Sequence, residues 1–319
     1  MKNKMCLVSV FGLVSALILS LLASCQAPAE EVAPSPIEVT DQVGRVVRLE
    51  KVPEKIISLT PSNTEILFAL GLGDKVVGVT QYCNYPPEAQ DKPKIGGFSA
   101  TEIDVSVEQI VAIAPDLILA SETHQKEVIP KLEQLIPGAA VLVLKTQTES
   151  FDVVFEAINL VGKCTGTEDK ATQLVTSMKK QIKAITDKTD KLSDSERPRV
   201  LYIVWHDPIF AIGGGTLGNT LIEAAGGVNI FKEQIGAPIV DLETIIARNP
   251  QVILGSAAVG AGADLPYQFA LHEERLKVVN ARINNRVYGV NDDLTGRPGP
   301  RIVEALELLA KLIHPELFK

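Results

Sequence analysis

Hydrophobic positions along this chain follow two alternating rhythms. Unbroken apolar runs of four or five residues, the mark of strands buried on both faces, alternate with stretches where apolar residues recur every three or four positions, the mark of amphipathic helices. The runs predict strands at Ile56–Thr60, Val76–Thr80, Asp116–Ala120 and Ala140–Leu144, then, after a gap, at Arg199–Trp205, Gln251–Gly255 and Arg286–Val290. Helical patterns fill the intervals, and a final helix is expected from about Pro300 to Leu312. Strands alternating with helices favour a parallel sheet in each half of the chain. Ahead of them, Ile37 to Arg48 alternates apolar and polar residues across Asp41-Gln-Val-Gly44-Arg, a hairpin pattern.

The gap holds the longest helical signal. Ala171, Leu174, Val175, Met178, Ile182 and Ile185 form one stripe, with Lys170, Gln173, Lys179, Lys183 and Lys188 on the other side. The chain is therefore expected to cross once between two lobes, on a helix of roughly 20 residues or about 30 Å. A helical strut permits smaller lobe motions than a loop hinge, which predicts a largely preformed cleft. The expected fold class is α/β: two Rossmann-like lobes, residues 37–165 and 197–319, joined by a single long helix over 166–191.

A repeat supports two lobes independently. Val105-Ser-Val-Glu-Gln-Ile-Val-Ala-Ile-Ala-Pro-Asp-Leu-Ile-Leu-Ala120 is echoed by Val240-Asp-Leu-Glu-Thr-Ile-Ile-Ala-Arg-Asn-Pro-Gln-Val-Ile-Leu-Gly255, with seven of sixteen positions identical. Each copy reads as a capped helix, a Pro stop and a buried strand. One late copy of one αβ unit implies two similar lobes, because a solenoid needs at least three stacked units. Two lobes make a cleft, where ligands bind. The repeat also places Glu108 and Glu243 in first helical turns, at equivalent positions on the two lobes. Singly, either acid only complements a helix dipole, by about 0.3–1 kcal/mol. As a pair, they match a partner with twofold symmetry.

Composition and the N-terminus add the compartment. Lys2 and Lys4 precede an uncharged apolar run from Cys6 to Ser24, a leader pattern. It ends Leu22-Ala23-Ser24-Cys25, like a bacterial lipoprotein signal, so residues 1–24 are expected to be a signal peptide. Cys25 would carry the lipid, with residues 25–36 as a flexible tether. The alternative, an uncleaved anchor, places the body on the same side of the membrane. The formal net charge is −8, with no Lys/Arg cluster, which argues against nucleic acid or anionic lipid as a partner. Cys83 and Cys164 remain in the body; an extracytoplasmic site permits their disulfide without requiring it.

Enzymatic signatures are sparse. Gly213-Gly-Gly215-Thr-Leu-Gly218 formally matches a dinucleotide fingerprint, but its preceding strand is short, and it reads as a Gly-rich turn into a helix. An exported enzyme with a nucleotide loop is the rival of another class. His124, His206, His272 and His314 are scattered, which gives no metal site. What stands out is a set of rings and charges in the turns that follow strands, where open α/β sheets bind ligands. Tyr82, Tyr85, Phe98, Trp205, His206, Phe210, Asp292, Asp293 and Arg297 all lie there, implying a large, flat ligand with polar edges.

These residues carry a resemblance. Ile57-Ser-Leu-Thr-Pro-Ser-Asn-Thr-Glu-Ile-Leu-Phe-Ala-Leu-Gly71, Val77-Gly-Val-Thr-Gln-Tyr-Cys-Asn-Tyr-Pro-Pro87, Ala224-Ala-Gly-Gly-Val-Asn-Ile-Phe231 and Arg297-Pro-Gly-Pro-Arg301 resemble the substrate-binding lipoproteins of ABC importers for cobalamin and ferric siderophores. Tyr82-Cys-Asn-Tyr-Pro-Pro87 and Trp205-His-Asp-Pro208 are most similar to the cobalamin-binding members. The resemblance implies a corrinoid held between the lobes, with Tyr82, Phe98, Phe210, Asp293 and Arg297 at pocket positions; Tyr85, Trp205 and His206 join them as candidate ligand residues from the turns that follow strands. It places Glu108 and Glu243 where the acids dock onto a permease dimer with its ATPase subunits. Where a cobalamin receptor has Trp, this chain has Phe98, Ser121 and Ala237, implying a looser pocket. His206 would reach cobalt if the lower ligand were displaced, or else hydrogen-bond to the ligand's edge.

The expectation is a lipid-anchored, monomeric, extracytoplasmic receptor without catalytic activity or resident cofactor. Its cargo is expected to be cobalamin or a related corrinoid, with a ferric siderophore or haem as the rival cargo.

Overall fold

Both copies of the repeat fold from the same local rules. Ser106 and Asp241 cap helices Val107–Ile113 and Leu242–Arg248, accepting from the backbone N–H of Gln109 and Thr244 at 3.4 and 2.7 Å. Each helix ends in a left-handed residue, Ala114 (φ 49°) or Asn249 (φ 45°), before its proline. A fully buried strand follows in each copy, Leu117–Ser121 and Val252–Ser256. The computed structural model describes residues 36–98, 103–257 and 265–318, with the side chains of residues 98, 103 and 104 excepted. Cys25 and the leader lie outside the described residues.

Around these units the chain builds two sheets. The first orders Val76–Val79, Ile56–Ser58, Leu117–Ser121 and Ala140–Leu144 as four parallel neighbours. The second places Arg199–His206 beside Val252–Ser256, and that strand beside Val287–Val290, all parallel. Here the structure corrects a detail. Ile209–Ala211 turns back antiparallel on Arg199–His206, so the second sheet is mixed and not purely parallel. Only Asp207 and Pro208 separate the two strands, too short a link for a parallel crossover. The hairpin predicted at the start forms from Ile37–Thr40 and Val46–Leu49.

The helix Glu168–Thr189, 22 residues long, joins the sheets. Ala171, Val175, Met178 and Ile185 are its buried stripe, with Leu174 and Ile182 half-buried beside them. These residues belong to one continuous core. It runs from the first sheet's Leu117, Leu119 and Leu142, through the linking helix, to Val200, Val252 and the helix Ile302–Ile313. Separate clusters cover the outer faces, with Ile118 and Val143 in the first sheet and Ile203 and Ile253 in the second. A shared core, packed like a crystal interior, resists large hinge motion. No helix among the described residues is long and apolar enough to cross a membrane.

Cys83 and Cys164 are buried, unbonded thiols in that core. Cys83 Sγ accepts from the hydroxyl of Thr64 at 3.1 Å, and burial pushes the Cys164 thiol up to about 12. Cys164 is therefore not a reactive thiolate.

Candidate ligand-binding site

Where the carboxyl ends of both sheets face each other, two cavities adjoin. One, of 380 Å³, is lined by Thr60, Thr80, Tyr82, Ser121, His124 and Arg297, among others. The second, of 690 Å³, is lined by Tyr202, Val204, Ile212, Ile235, Ala237 and Asp292, among others. Thr146, Gln147 and Gly296 belong to both walls, so the two form one trough between the lobes. Each lies in the size range of small-molecule sites, and a ligand spanning both would be larger than a typical drug. Ser121 lines the first cavity and Ala237 the second, so two of the three positions with smaller side chains open directly onto the trough.

The charges in these walls are engaged. Arg297, from the second lobe, donates to Glu65 Oε1 at 3.2 Å, Asn84 Oδ1 at 2.7 Å and the carbonyl oxygen of Tyr82 at 3.3 Å, all in the first lobe. Asp293, one helical turn away, accepts from it at 2.5 Å. Arg301 grips the same Glu65 with two bonds, Nε to Oε2 at 2.9 Å and Nη2 to Oε1 at 2.6 Å. Glu65 is 3% exposed. Burial opposes the Arg301 charge, yet Glu65 holds its pKa above the ordinary value. In the larger cavity's wall, Tyr202 donates to Asp292 Oδ1 at 2.9 Å. Burial raises the Asp292 pKa and, joined by the Asp292 charge, sends that of Tyr202 well above its usual range. Both walls thus present mainly hydroxyls and amides, with Arg297 paired to carboxylates and Asp292 held by the Tyr202 hydroxyl.

The expected site residues take different places. Tyr82 and Arg297 line the smaller cavity, and Asp293 braces Arg297. Tyr85 lies behind this latch, its ring 3.8 Å from the Arg301 guanidinium, in a separate 520 Å³ groove. Trp205 and Phe210 are cross-strand partners on the hairpin, just beyond Val204 and Ile212, and Trp205 is 50% exposed. His206 stacks on Phe269 of the helix Pro266–His272, with ring centroids 5.4 Å apart, and is not in either cavity wall. The side chain of Phe98 lies outside the described residues. Glu108 and Glu243 are exposed on their helices, one on each lobe. The residues that sequence reasoning missed are Glu65, Asn84 and Arg301. Glu65 and Arg301 sit inside quoted motifs, but their pairing spans 236 residues.

The glycine loop has a structural use. Gly213 and Gly214 N–H groups donate to the carbonyls of Gly236 and Gln234 at 2.8 and 2.7 Å, so neither amide is free for a phosphate. A Cβ on Gly214 would stand 2.1 Å from the Lys232 carbonyl oxygen. The contact pins the segment that carries Ile235 and Ala237 to the trough. Gly214→Ala is expected to destabilise the protein by about 1–3 kcal/mol through forced backbone displacement, measured by denaturant unfolding. An unchanged midpoint would contradict this packing.

Comparison with known proteins follows the same lines. The family model described as "Periplasmic binding protein" matches residues 56–294. The chain is 35% identical over 319 residues to the uncharacterized ABC transporter substrate-binding lipoprotein YvrC of Bacillus subtilis, covering 97% of this chain and 98% of that one. It is 27% identical over 314 residues to a cobalamin-binding protein of Halobacterium salinarum, covering 93% and 83%. Among solved structures, a possible iron-binding periplasmic solute-binding protein of Staphylococcus epidermidis superposes with TM-score 0.69 at 31% identity, covering 83% of this chain and 100% of that one. The vitamin B12-binding protein BtuF of Vibrio cholerae gives 0.67 at 26%, covering 82% and 97%. The heme-binding protein RhuT of Roseiflexus gives 0.72 at 26%, covering 82% and 98%.

Proposed function

The chain belongs to the periplasmic binding protein family, and from that premise we propose that it is the lipid-anchored receptor of an ABC importer for cobalamin or a related corrinoid. Its family and neighbours are substrate-binding transport proteins and not enzymes. The observation that carries the cargo is the charge state of the trough. Its one cation among the described lining residues, Arg297, is neutralised by Glu65 and Asp293, and the remaining polar groups are mainly hydroxyls and amides. A ligand rich in neutral carboxamides suits such walls. An anionic ferric chelate, or haem with its two carboxylates, calls for an unpaired cationic centre.

In this reading Tyr82 and Arg297 contact the ligand directly, and Asp293 orients Arg297. Trp205 and Phe210 form an outer aromatic lip, with Tyr85, Phe98 and His206 as remoter contacts that closure or ligand bulk would recruit. Cys25 carries the lipid, in keeping with the similarity to the lipoprotein YvrC. Glu108 and Glu243 dock onto the permease dimer, whose ATPase subunits drive release, and the receptor works as a monomer.

Dialysis against an equimolar mixture of cyanocobalamin, haemin and a ferric hydroxamate tests the cargo. Retention of cyanocobalamin is expected, read by its absorbance. Retention of an iron compound instead would keep the fold and overturn the cargo.

A further inference from the structure

On the first lobe's side of the trough, one side chain carries a polar atom with no partner among the described residues. His124 ends the short 3-10 turn Glu122–His124, directly after the strand Leu117–Ser121, and is 1% exposed in the wall of the smaller cavity. Its Nδ1 lies 3.0 Å from the backbone nitrogen of Ser121 and 2.8 Å from the Ser121 hydroxyl. The hydroxyl is able to donate or accept, but an amide N–H only donates. Nδ1 must therefore present its lone pair, and the proton of the neutral ring sits on Nε2. Burial drives the ring's pKa below its ordinary value, which keeps the ring neutral. The Nε2–H is then a buried donor with no acceptor among the described residues. The cavity wall supplies hydroxyls from Thr60, Thr80 and Thr123, and the one cation among its described residues, Arg297, is already paired.

Resting on the corrinoid reading, we propose that His124 is a specificity-determining residue whose Nε2–H donates to a neutral carbonyl oxygen on the ligand's periphery and does not coordinate the ligand's metal. Coordination through Nε2 would require the proton to move to Nδ1. There it would point at the Ser121 N–H across 3.0 Å, and two donors would face each other. A carboxamide oxygen relieves the buried donor without adding charge. A carboxylate would relieve it too, but would bring an anion to a wall with no free cation among its described residues. His124 thus favours a ligand with neutral carbonyl arms over a haem needing an axial nitrogen.

Long-range ¹H–¹⁵N spectra of the full-length, histidine-labelled protein in detergent test the tautomer before any ligand is added. The expected result is an unprotonated Nδ1 and a protonated Nε2 for His124, assigned by the signal lost in His124→Gln. On adding cyanocobalamin, the Nε2–H should persist and shift. His124→Phe should weaken cyanocobalamin binding about tenfold, and His124→Gln, which restores a side-chain N–H donor, should recover most of it. A proton on Nδ1, loss of the Nε2 proton on binding, or undiminished affinity in His124→Phe would overturn the proposal while leaving the corrinoid reading intact. Failure of the unaltered protein to bind cyanocobalamin would instead bring down the corrinoid reading, and this proposal with it. A haemin spectrum that shows axial nitrogen ligation, lost in His124→Phe, would assign His124 the opposite role.

Discussion

Replacing Glu65 with alanine is expected to destabilise the protein by about 3–5 kcal/mol, the cost of breaking a buried ion pair by removing one partner. The carboxylate is the hub of the latch between the lobes. Its side chain is 2% exposed, and those of Arg297 and Arg301 are 12% and 14% exposed, so solvent screens the trio weakly. Without Glu65, two guanidiniums of the second lobe would be left side by side at the lobe boundary, with no carboxylate opposite them. Arg297 would keep Asp293 and Asn84, and Arg301 would keep its contact with the Tyr85 ring, which limits the damage. Glu65→Gln should cost less, because the amide oxygen still accepts from one arginine. Denaturant unfolding reads both. A loss below about 1 kcal/mol for Glu65→Ala, the range of an exposed pair, would show that the latch is not closed in solution. Since Arg297 is also a wall of the smaller cavity, ligand affinity should fall with Glu65→Ala as well.

The largest functional effect is expected from Glu108→Ala combined with Glu243→Ala. Both carboxylates are exposed and neither lines the trough, so ligand affinity should be unchanged. Each acid sits in the first turn of its helix, where its loss costs at most about 1 kcal/mol of stability. Uptake of cyanocobalamin into vesicles containing the permease and its ATPase should nevertheless be abolished. Two equivalent acids on two related lobes fit a twofold partner, and losing both removes the anchoring charge from each half. Each single variant should retain part of the uptake. Normal transport by the double variant would contradict docking through these acids.

The parts of this molecule that were legible in the sequence are those whose causes are local. The repeated unit carries its own capping residue, its left-handed stop before proline and its unbroken apolar strand, so both copies form as expected within a residue or so. The linking helix was legible for the same reason, since its stripe from Ala171 to Ile185 is periodic over about four turns. Ile209–Ala211 was harder. Three residues are too few to show a period, and whether they run parallel or antiparallel depends on the link before them. The latch was invisible in its pairing, because Glu65 meets Arg297 and Arg301 only after both lobes have folded. Tyr85 shows the converse. A ring in a turn after a strand looks like a ligand contact, yet here it lies under a guanidinium behind the cleft. His124 was one of four scattered histidines in the sequence, and only the Ser121 amide beside it gives it a defined chemistry.

Calorimetric titration of the purified protein with cyanocobalamin, with cobinamide as comparator, tests the central claim most directly. Saturable binding of cyanocobalamin at about 1 μM or tighter, near −8 kcal/mol, is the predicted result, and the cobinamide ratio then reports how far the lower ligand is read. No heat with either corrinoid, together with saturable binding of haemin or a ferric hydroxamate under the same conditions, would contradict it.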